Sequence, residues 1–261
     1  MSVNHQAKKR FGQNFLHDTH VIERIIRSIN PLPDDALIEI GPGLGALTLT
    51  LLRKLGKLRV IELDRDVIPH LRTATNNDTA LEIIMADALK VDYSTLAPAG
   101  QRLRLVGNLP YNISTPLMFH LLKFSDHIAD MHFMLQKEVV DRMAAAPGDD
   151  DYGRLTVMLA TRARVTKLFT VGPGAFTPAP KVESAIVRLV PCAPAFEIVD
   201  QALFDRIVAS AFSQRRKTLS NGLKTIMSAQ QISAAGIDPG IRAERLSAAE
   251  FARLTAVAAQ A

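Results

Sequence analysis

Apolar residues recur at two spacings along this chain, and the switching between them outlines alternating strands and helices. Val21, Ile22, Ile25, Ile26 and Ile29 stand at helical spacing behind Asp18, a residue type suited to cap a helix start, and Pro31 and Pro33 close the run. A continuous apolar run at 36–40 then passes directly into Gly41-Pro42-Gly43-Leu44-Gly45-Ala46, followed by a helical run at 47–52. Short unbroken apolar runs of this kind predict strands covered on both faces. They return at 58–62, 81–85, 103–106 and 131–135. Helical spacing lies between them, at Ile68, Leu71 and Arg72, where Asp64 and Asp66 are placed to cap, and at 116–122. A helix is expected to begin at Lys137, another near 155–159, and a strand near 165–169, with 184–190 completing the last strands as a hairpin. The alternation predicts an α/β domain over residues 1–194. From about Ala195 strand signals give way to helical ones at Phe204, Ile207, Val208 and Phe212, then Leu219, Leu223 and Ile226, then Leu246, Phe251, Leu254 and Val257. A small all-helical domain is therefore expected over 195–261.

In open α/β sheets ligands bind beyond the carboxyl ends of the strands, and four strand ends here carry chemistry. The glycines at 41–45 let the backbone approach a ligand closely, and Glu62 follows about 20 residues later, the offset suited to ribose hydroxyls. Gly41-x-Gly43-x-x-Ala46 also satisfies the dinucleotide fingerprint. Gly45 and the carboxylate of Glu39, two residues before the turn, favour the cationic S-adenosylmethionine instead, although Glu39 suits a strand-end salt bridge equally well. Asp87 ends the third strand, placed either to accept from an adenine amino group or to cap a helix. The fourth strand ends in Asn108-Leu109-Pro110-Tyr111. A carboxamide offers both acceptor and donor to an adenine edge, Pro110 stiffens the turn, and Tyr111 offers a flat face for a base. Proline-stiffened Phe176-Thr177-Pro178-Ala179-Pro180-Lys181-Val182 offers Phe176 as a second stacking face, with a core phenylalanine as the alternative.

Composition narrows the partners. With 31 Lys and Arg against 26 Asp and Glu, the net charge of +5 suits a polyanion. Lys8, Lys9 and Arg10, running into Phe11-Gly12-Gln13-Asn14-Phe15-Leu16, and Arg215, Arg216 and Lys217 are the candidate phosphate contacts. The single cysteine, Cys192, excludes an internal disulfide framework and a cysteine-rich metal site. His120 and His132 lie within apolar elements without companions at metal or triad spacing, so both are expected to be packed. No apolar run reaches the length of a membrane span and the start lacks a signal-peptide core, so a cytoplasmic protein with no membrane partner is expected.

Arg10–Leu16, the 38–43 strand and turn, Glu62-Leu63-Asp64, Asn108–Tyr111, Phe176–Val182 and Arg215–Thr218 together, in this order and spacing, resemble the KsgA family of bacterial small-subunit rRNA adenine dimethyltransferases. The resemblance covers nearly the whole chain. It implies a Rossmann-like class I methyltransferase domain, with a mostly parallel seven-stranded sheet and helices on both faces, followed by a helical rRNA-binding domain. It further implies a monomer that dimethylates N6 of two adjacent adenosines near the 3′ end of 16S rRNA in the small (30S) subunit or its precursor. S-adenosylmethionine would be the donor, S-adenosylhomocysteine the product, and no metal would take part. By motif, Asn14, Leu16, Gly41 and Gly43 would touch the donor, Glu62 its ribose, and Asp87 and Asn108 would complete the pocket. Asn108 and the Leu109 carbonyl would grip the target amine, with Pro110 between them and Tyr111 and Phe176 sandwiching the ring. A related large-subunit rRNA or DNA methyltransferase, an assembly factor acting by binding, and a nicotinamide oxidoreductase are the alternatives.

Overall fold

The computed structural model describes residues 14–214 and 217–260. Phe15–Leu16 (β1) leads into Thr19–Ile29 (α1), which Asp18 caps by accepting from the amides of His20 and Val21. Helix α1 stops one residue before the prolines, because Asn30 turns left-handed at φ 48° and its amide bonds back to Ile26. The alternation then runs through Leu37–Ile40 (β2), Thr48–Leu55 (α2), Leu58–Glu62 (β3), Ile68–Ala74 (α3), Leu81–Met85 (β4), Leu103–Asn108 (β5), Ser114–Leu121 (α4) and Ile128–Gln136 (β6). Lys137–Ala144 (α5), Arg154–Ala160 (α6), Ala163–Val171 (β7), Phe176–Thr177 (β8) and Ser184–Pro191 (β9) follow, and then the helices Gln201–Ser213 (α7), Leu219–Leu223 (α8), Ala229–Ala234 (α9) and Ala248–Ala258 (α10).

Seven strands form one mixed sheet in the order β4-β3-β2-β5-β6-β9-β7. Strands β4 to β6 pair in parallel, and β9 pairs antiparallel with β6. This is the expected seven-stranded Rossmann-like sheet, with the direction of strand addition reversing between β2 and β5. The last two strands of the large sheet, β7 and β9, are neighbours in it as expected, with a long connection between them. The two residues of β8 leave the large sheet and pair with β1, so that Leu16 faces Phe176, while β9 lies between β6 and β7. Asp64 and Asp66 do not cap α3: Val67 is its N-cap and no side chain bonds there. Asp64 instead closes the preceding turn, accepting the Asp66 amide on its carboxylate and the Val67 amide on its carbonyl.

The described residues divide into two compact units, within Met1–Val140 with Thr166–Pro191, and within Asp141–Val165 with Cys192–Ala261. The second unit thus takes in a segment that the 195 boundary leaves out. The reason is apolar packing: the Tyr152 ring stands 6.2 Å from Phe212, Phe212 stands 5.7 Å from Phe251, and the buried Tyr152 hydroxyl donates to the Leu246 carbonyl at 2.7 Å. Among the described residues no helix is long and apolar enough to cross a membrane.

At the end of the sheet opposite the carboxyl ends of the parallel strands, Arg104 on β5 spends its guanidinium on Asp130, Asp35 and the carbonyls of Ile29 and Asn30. Burial pushes the Asp130 carboxyl up, but the hydrogen bond from Arg104 and the charges of His132, Arg104 and Arg188 outweigh it and hold it below its usual range. His132 on β6 is buried as expected, yet neither ring nitrogen has a hydrogen-bond partner among the described residues. Burial, aided by the charges of Arg104 and Arg188 and opposed by that of Asp130, lowers its pKa to about 4. His120, by contrast, is held by the Val91 carbonyl at 2.8 Å and by the rings of Tyr93 and Phe124.

Between the ordinary pKa of 6.5 and the folded value near 4, the unfolded chain takes up a proton at His132 that the folded chain refuses. Its contribution is complete above pH 6.5 and is lost as pH falls toward 4, by at most about 3 kcal/mol. His132→Leu should therefore lose less thermal stability than the unaltered protein between pH 7 and pH 4.5. Equal losses in the two melting curves would refute this account.

Candidate active site

Strand β5 runs so close to β2 that a side chain on Gly107 is impossible. A Cβ there would stand 2.3 Å from the Ile40 carbonyl oxygen. Strand β2 ends at Ile40, and the chain turns at Gly41, whose φ of +68° suits glycine. A Cβ on Gly41 would meet the Asn108 carbonyl at 3.8 Å, so the glycine turn and the Asn108 loop face each other across the point where strand order reverses. A cavity of about 350 Å3 opens there.

The cavity is lined by Asn14, Leu16, Gly41, Gly43, Glu62, Asp87, Asn108, Leu109, Pro110 and Tyr111, all singled out from sequence. Phe176 is not brought to it. Only 3% exposed, Phe176 pairs with Leu16 in the small ladder and packs in the apolar cluster with Ile186, Met134 and Val106, so it backs the wall that Leu16 presents. Lys8, Lys9, Arg10, Arg215 and Arg216 lie outside the described residues, and Lys217 is exposed in the second unit. Sequence reasoning missed the polar Asn112 beside Tyr111, and also Ala86, Leu89 and Ile113, which as apolar residues at element ends carry no chemical signal.

Three acids, Glu39, Glu62 and Asp87, line the cavity. Glu39 is 1% exposed and accepts the Thr48 hydroxyl at 2.6 Å. Among the described residues no cation pairs with it, so the salt-bridge alternative does not hold within them. Burial raises its pKa from 4.5 to about 7, the Thr48 hydrogen bond opposes this, and the nearby charge of Glu62 adds to it. Burial also raises Glu62, against hydrogen bonds from the amides of Asp64, Gly43 and Leu63; the Asp64 amide lies 2.8 Å from Oε1. Asp87 spends one carboxylate oxygen on the Leu89 amide at 3.0 Å, closing a turn and not capping a helix, and still lines the cavity. A cationic ligand would relieve the strain between Glu39 and Glu62.

The Asn108 loop is tied down from several sides. The Asn108 amide nitrogen donates to the Asn14 carbonyl at 3.0 Å. The Leu109 amide bonds to the Met134 carbonyl, the Pro110 carbonyl accepts from Ile113, and the Tyr111 carbonyl accepts from the Ser114 hydroxyl. The Tyr111 hydroxyl meets the Ser184 hydroxyl at 2.9 Å.

The sequence profile of the ribosomal RNA adenine dimethylases matches residues 4–260. This chain belongs to that family. The ribosomal RNA small subunit methyltransferase A of Hahella chejuensis is 56% identical over 254 residues, covering 97% of this chain and 93% of its own. Among solved structures, a dimethyladenosine transferase from Plasmodium falciparum superposes with a TM-score of 0.73 at 26% identity, covering 92% of this chain and 95% of its own. The 23S rRNA methyltransferase ErmE does so with a TM-score of 0.72 at 26% identity, covering 95% and 100%. Membership in the dimethylase family decides between the two cofactors that the glycine turn left open, because a methylase needs a methyl donor and not a hydride carrier.

Glu39 yields a test that needs no substrate. The folded protein resists ionising this carboxyl, so its contribution to stability is complete below pH 4.5 and is lost as pH rises through 7. Glu39→Gln should raise the melting temperature of the ligand-free protein more at pH 8 than at pH 5, with a gain of up to about 3 kcal/mol. A gain independent of pH would contradict it. Gly107→Ala forces the crossing apart, and calorimetry should find S-adenosylmethionine binding lost or severely weakened.

Proposed function

We propose that this protein transfers methyl groups from S-adenosylmethionine to N6 of two adjacent adenosines near the 3′ end of 16S rRNA. The substrate is the small (30S) ribosomal subunit or its precursor in the cytoplasm, the protein acts as a monomer, and the products are N6,N6-dimethyladenosines and S-adenosylhomocysteine. The step contributes to small-subunit biogenesis. The observation that carries this reading is which hydrogen-bonding groups of the Asn108 loop remain free. With its amide donor held by Asn14, the Asn108 carboxamide has its oxygen left to accept. Of the three carbonyls that follow, those of Pro110 and Tyr111 are taken, and that of Leu109 has no partner among the described residues. Two acceptors side by side suit the two N–H groups of an adenine amine.

The donor, when bound, supplies an electrophilic methyl group on a sulfonium. Its binding fits the cavity: Gly41 and Gly43 leave backbone room for the methionine part, Asn14 and Leu16 close over it, and Glu62 and Asp87 offer acceptors to ribose and adenine. The remaining work falls on the chain. Asn108 and the Leu109 carbonyl accept from the target N6, drawing the nitrogen toward a pyramidal shape with its lone pair aimed at the methyl. Pro110 stiffens the segment between them, and Tyr111 stacks the extruded ring. Alignment and polarisation carry the acceleration, and the cationic product nitrogen then loses a proton to water. The helical unit, with Lys217 exposed and Arg215 and Arg216 beside it in sequence, binds rRNA phosphates together with Lys8, Lys9 and Arg10.

The likeness to ErmE keeps a large-subunit substrate in view, but 56% identity to a small subunit methyltransferase favours the small one over a 26% likeness. Tritium transfer from labelled S-adenosylmethionine, followed by nucleoside analysis, should yield N6,N6-dimethyladenosine on undermethylated small subunits and not on large subunits or DNA. Asn108→Ala should lower that transfer by about a hundredfold while RNA binding persists. Full turnover in this variant would overturn the assignment, and a purely binding role would leave it without cellular effect.

A further inference from the structure

We infer that Ser184 is a positioning residue for methyl transfer: its hydroxyl, bonded to the Tyr111 hydroxyl, holds the Tyr111 ring where the target base stacks. The inference rests on the reading of Tyr111 as the stacking face. Ser184 is 0% exposed and does not line the cavity, so it can act only through what it touches. A hydroxyl with no access to water needs a protein partner. Among the described residues, the partner its hydroxyl has is the Tyr111 hydroxyl at 2.9 Å.

The anchor is stiff and the ring alone is not. Ser184 opens β9 directly opposite Gln136, the last residue of β6, with Ala185 and Ile186 paired to Leu135 and Met134 behind it. The Lys137 amide bonds to the Glu183 carbonyl at 2.9 Å and closes the junction from the other side. Tyr111 belongs instead to the loop after β5, half-buried, with its main-chain carbonyl held by the Ser114 hydroxyl. Two hydroxyls therefore pin it at opposite ends, Ser114 at the backbone and Ser184 at the ring tip. A ring fixed in advance loses less rotational freedom when a base arrives, and its engaged hydroxyl presents only the flat face to that base. An alanine would fill nearly the same space at 184 without this tether, so packing alone does not explain a serine.

The test is a double-mutant cycle read by single-turnover methyl transfer to undermethylated small subunits, with S-adenosylmethionine affinity by calorimetry and melting temperature measured in parallel. Ser184→Ala should slow transfer about threefold to tenfold, the weight of one neutral hydrogen bond, at unchanged donor affinity. Tyr111→Phe should match that loss, and adding Ser184→Ala to it should cost nothing further, because the bond is already absent. An unaltered rate in Ser184→Ala, or an equal extra loss in the Tyr111→Phe background, would overturn the inference. Tyr111→Ala separates the two layers: if it transfers at the unaltered rate, the stacking reading fails and the inference with it. If it is inactive while Ser184→Ala is normal, only the role of Ser184 falls.

Discussion

The close passage of β5 against the carbonyl end of β2 is the constraint on which the site depends. A Cβ at Gly107 would stand only 2.3 Å from the Ile40 oxygen, so no side chain fits between the two strands there. Immediately beyond, one chain must turn at Gly41 and the other must carry Asn108 outward. The cavity is the gap opened by that divergence. A wider crossing would move the Asn108 loop off the glycine turn, and the acceptors and the donor pocket would no longer share one volume.

Electrostatics in that gap are arranged for a ligand that the protein itself does not imitate. Glu39 and Glu62 sit together with burial raising both, and among the described residues no cation neutralises Glu39. Such a pair is poised to be relieved by a positive charge, which the sulfonium donor carries. The opposite end of the sheet uses the other solution, in which Arg104 saturates Asp130 and Asp35 and leaves His132 neutral. One end of the sheet thus has its buried carboxylates paired internally, with only the neutral His132 ring unbonded among the described residues, and serves the fold. The other is left unsatisfied and serves chemistry.

The loop from Asn108 to Tyr111 connects these levels. Its main chain is spent almost completely on holding its own shape, through Met134, Ile113 and Ser114, and its side chains are held by Asn14 and Ser184. Among the described residues, the carboxamide oxygen, the Leu109 carbonyl and the Tyr111 ring face are left to meet a ligand. Rigid support of this kind gives the proposed clamp its orientation before substrate arrives.

Much of this was legible in the residues alone. Unbroken apolar runs ended by Gly41, Glu62, Asp87 and Asn108 required parallel strands delivering these residues to one rim, since every buried strand must pair and its carboxyl end must emerge on the same side. The helical character after residue 195 was equally plain. Local pattern could not decide which distant segment each residue would meet. Phe176 reads as a stacking face until its pairing with Leu16 buries it, and 141–165 reads as part of the first domain until Tyr152 finds Phe212 and Leu246. Glu39 reads equally as a ligand or as half of a salt bridge until the fold gives it a hydroxyl partner in Thr48 and an acidic neighbour in Glu62. Spacing along the chain sets period and direction, whereas burial and pairing are properties of the space between segments, which only the folded chain defines.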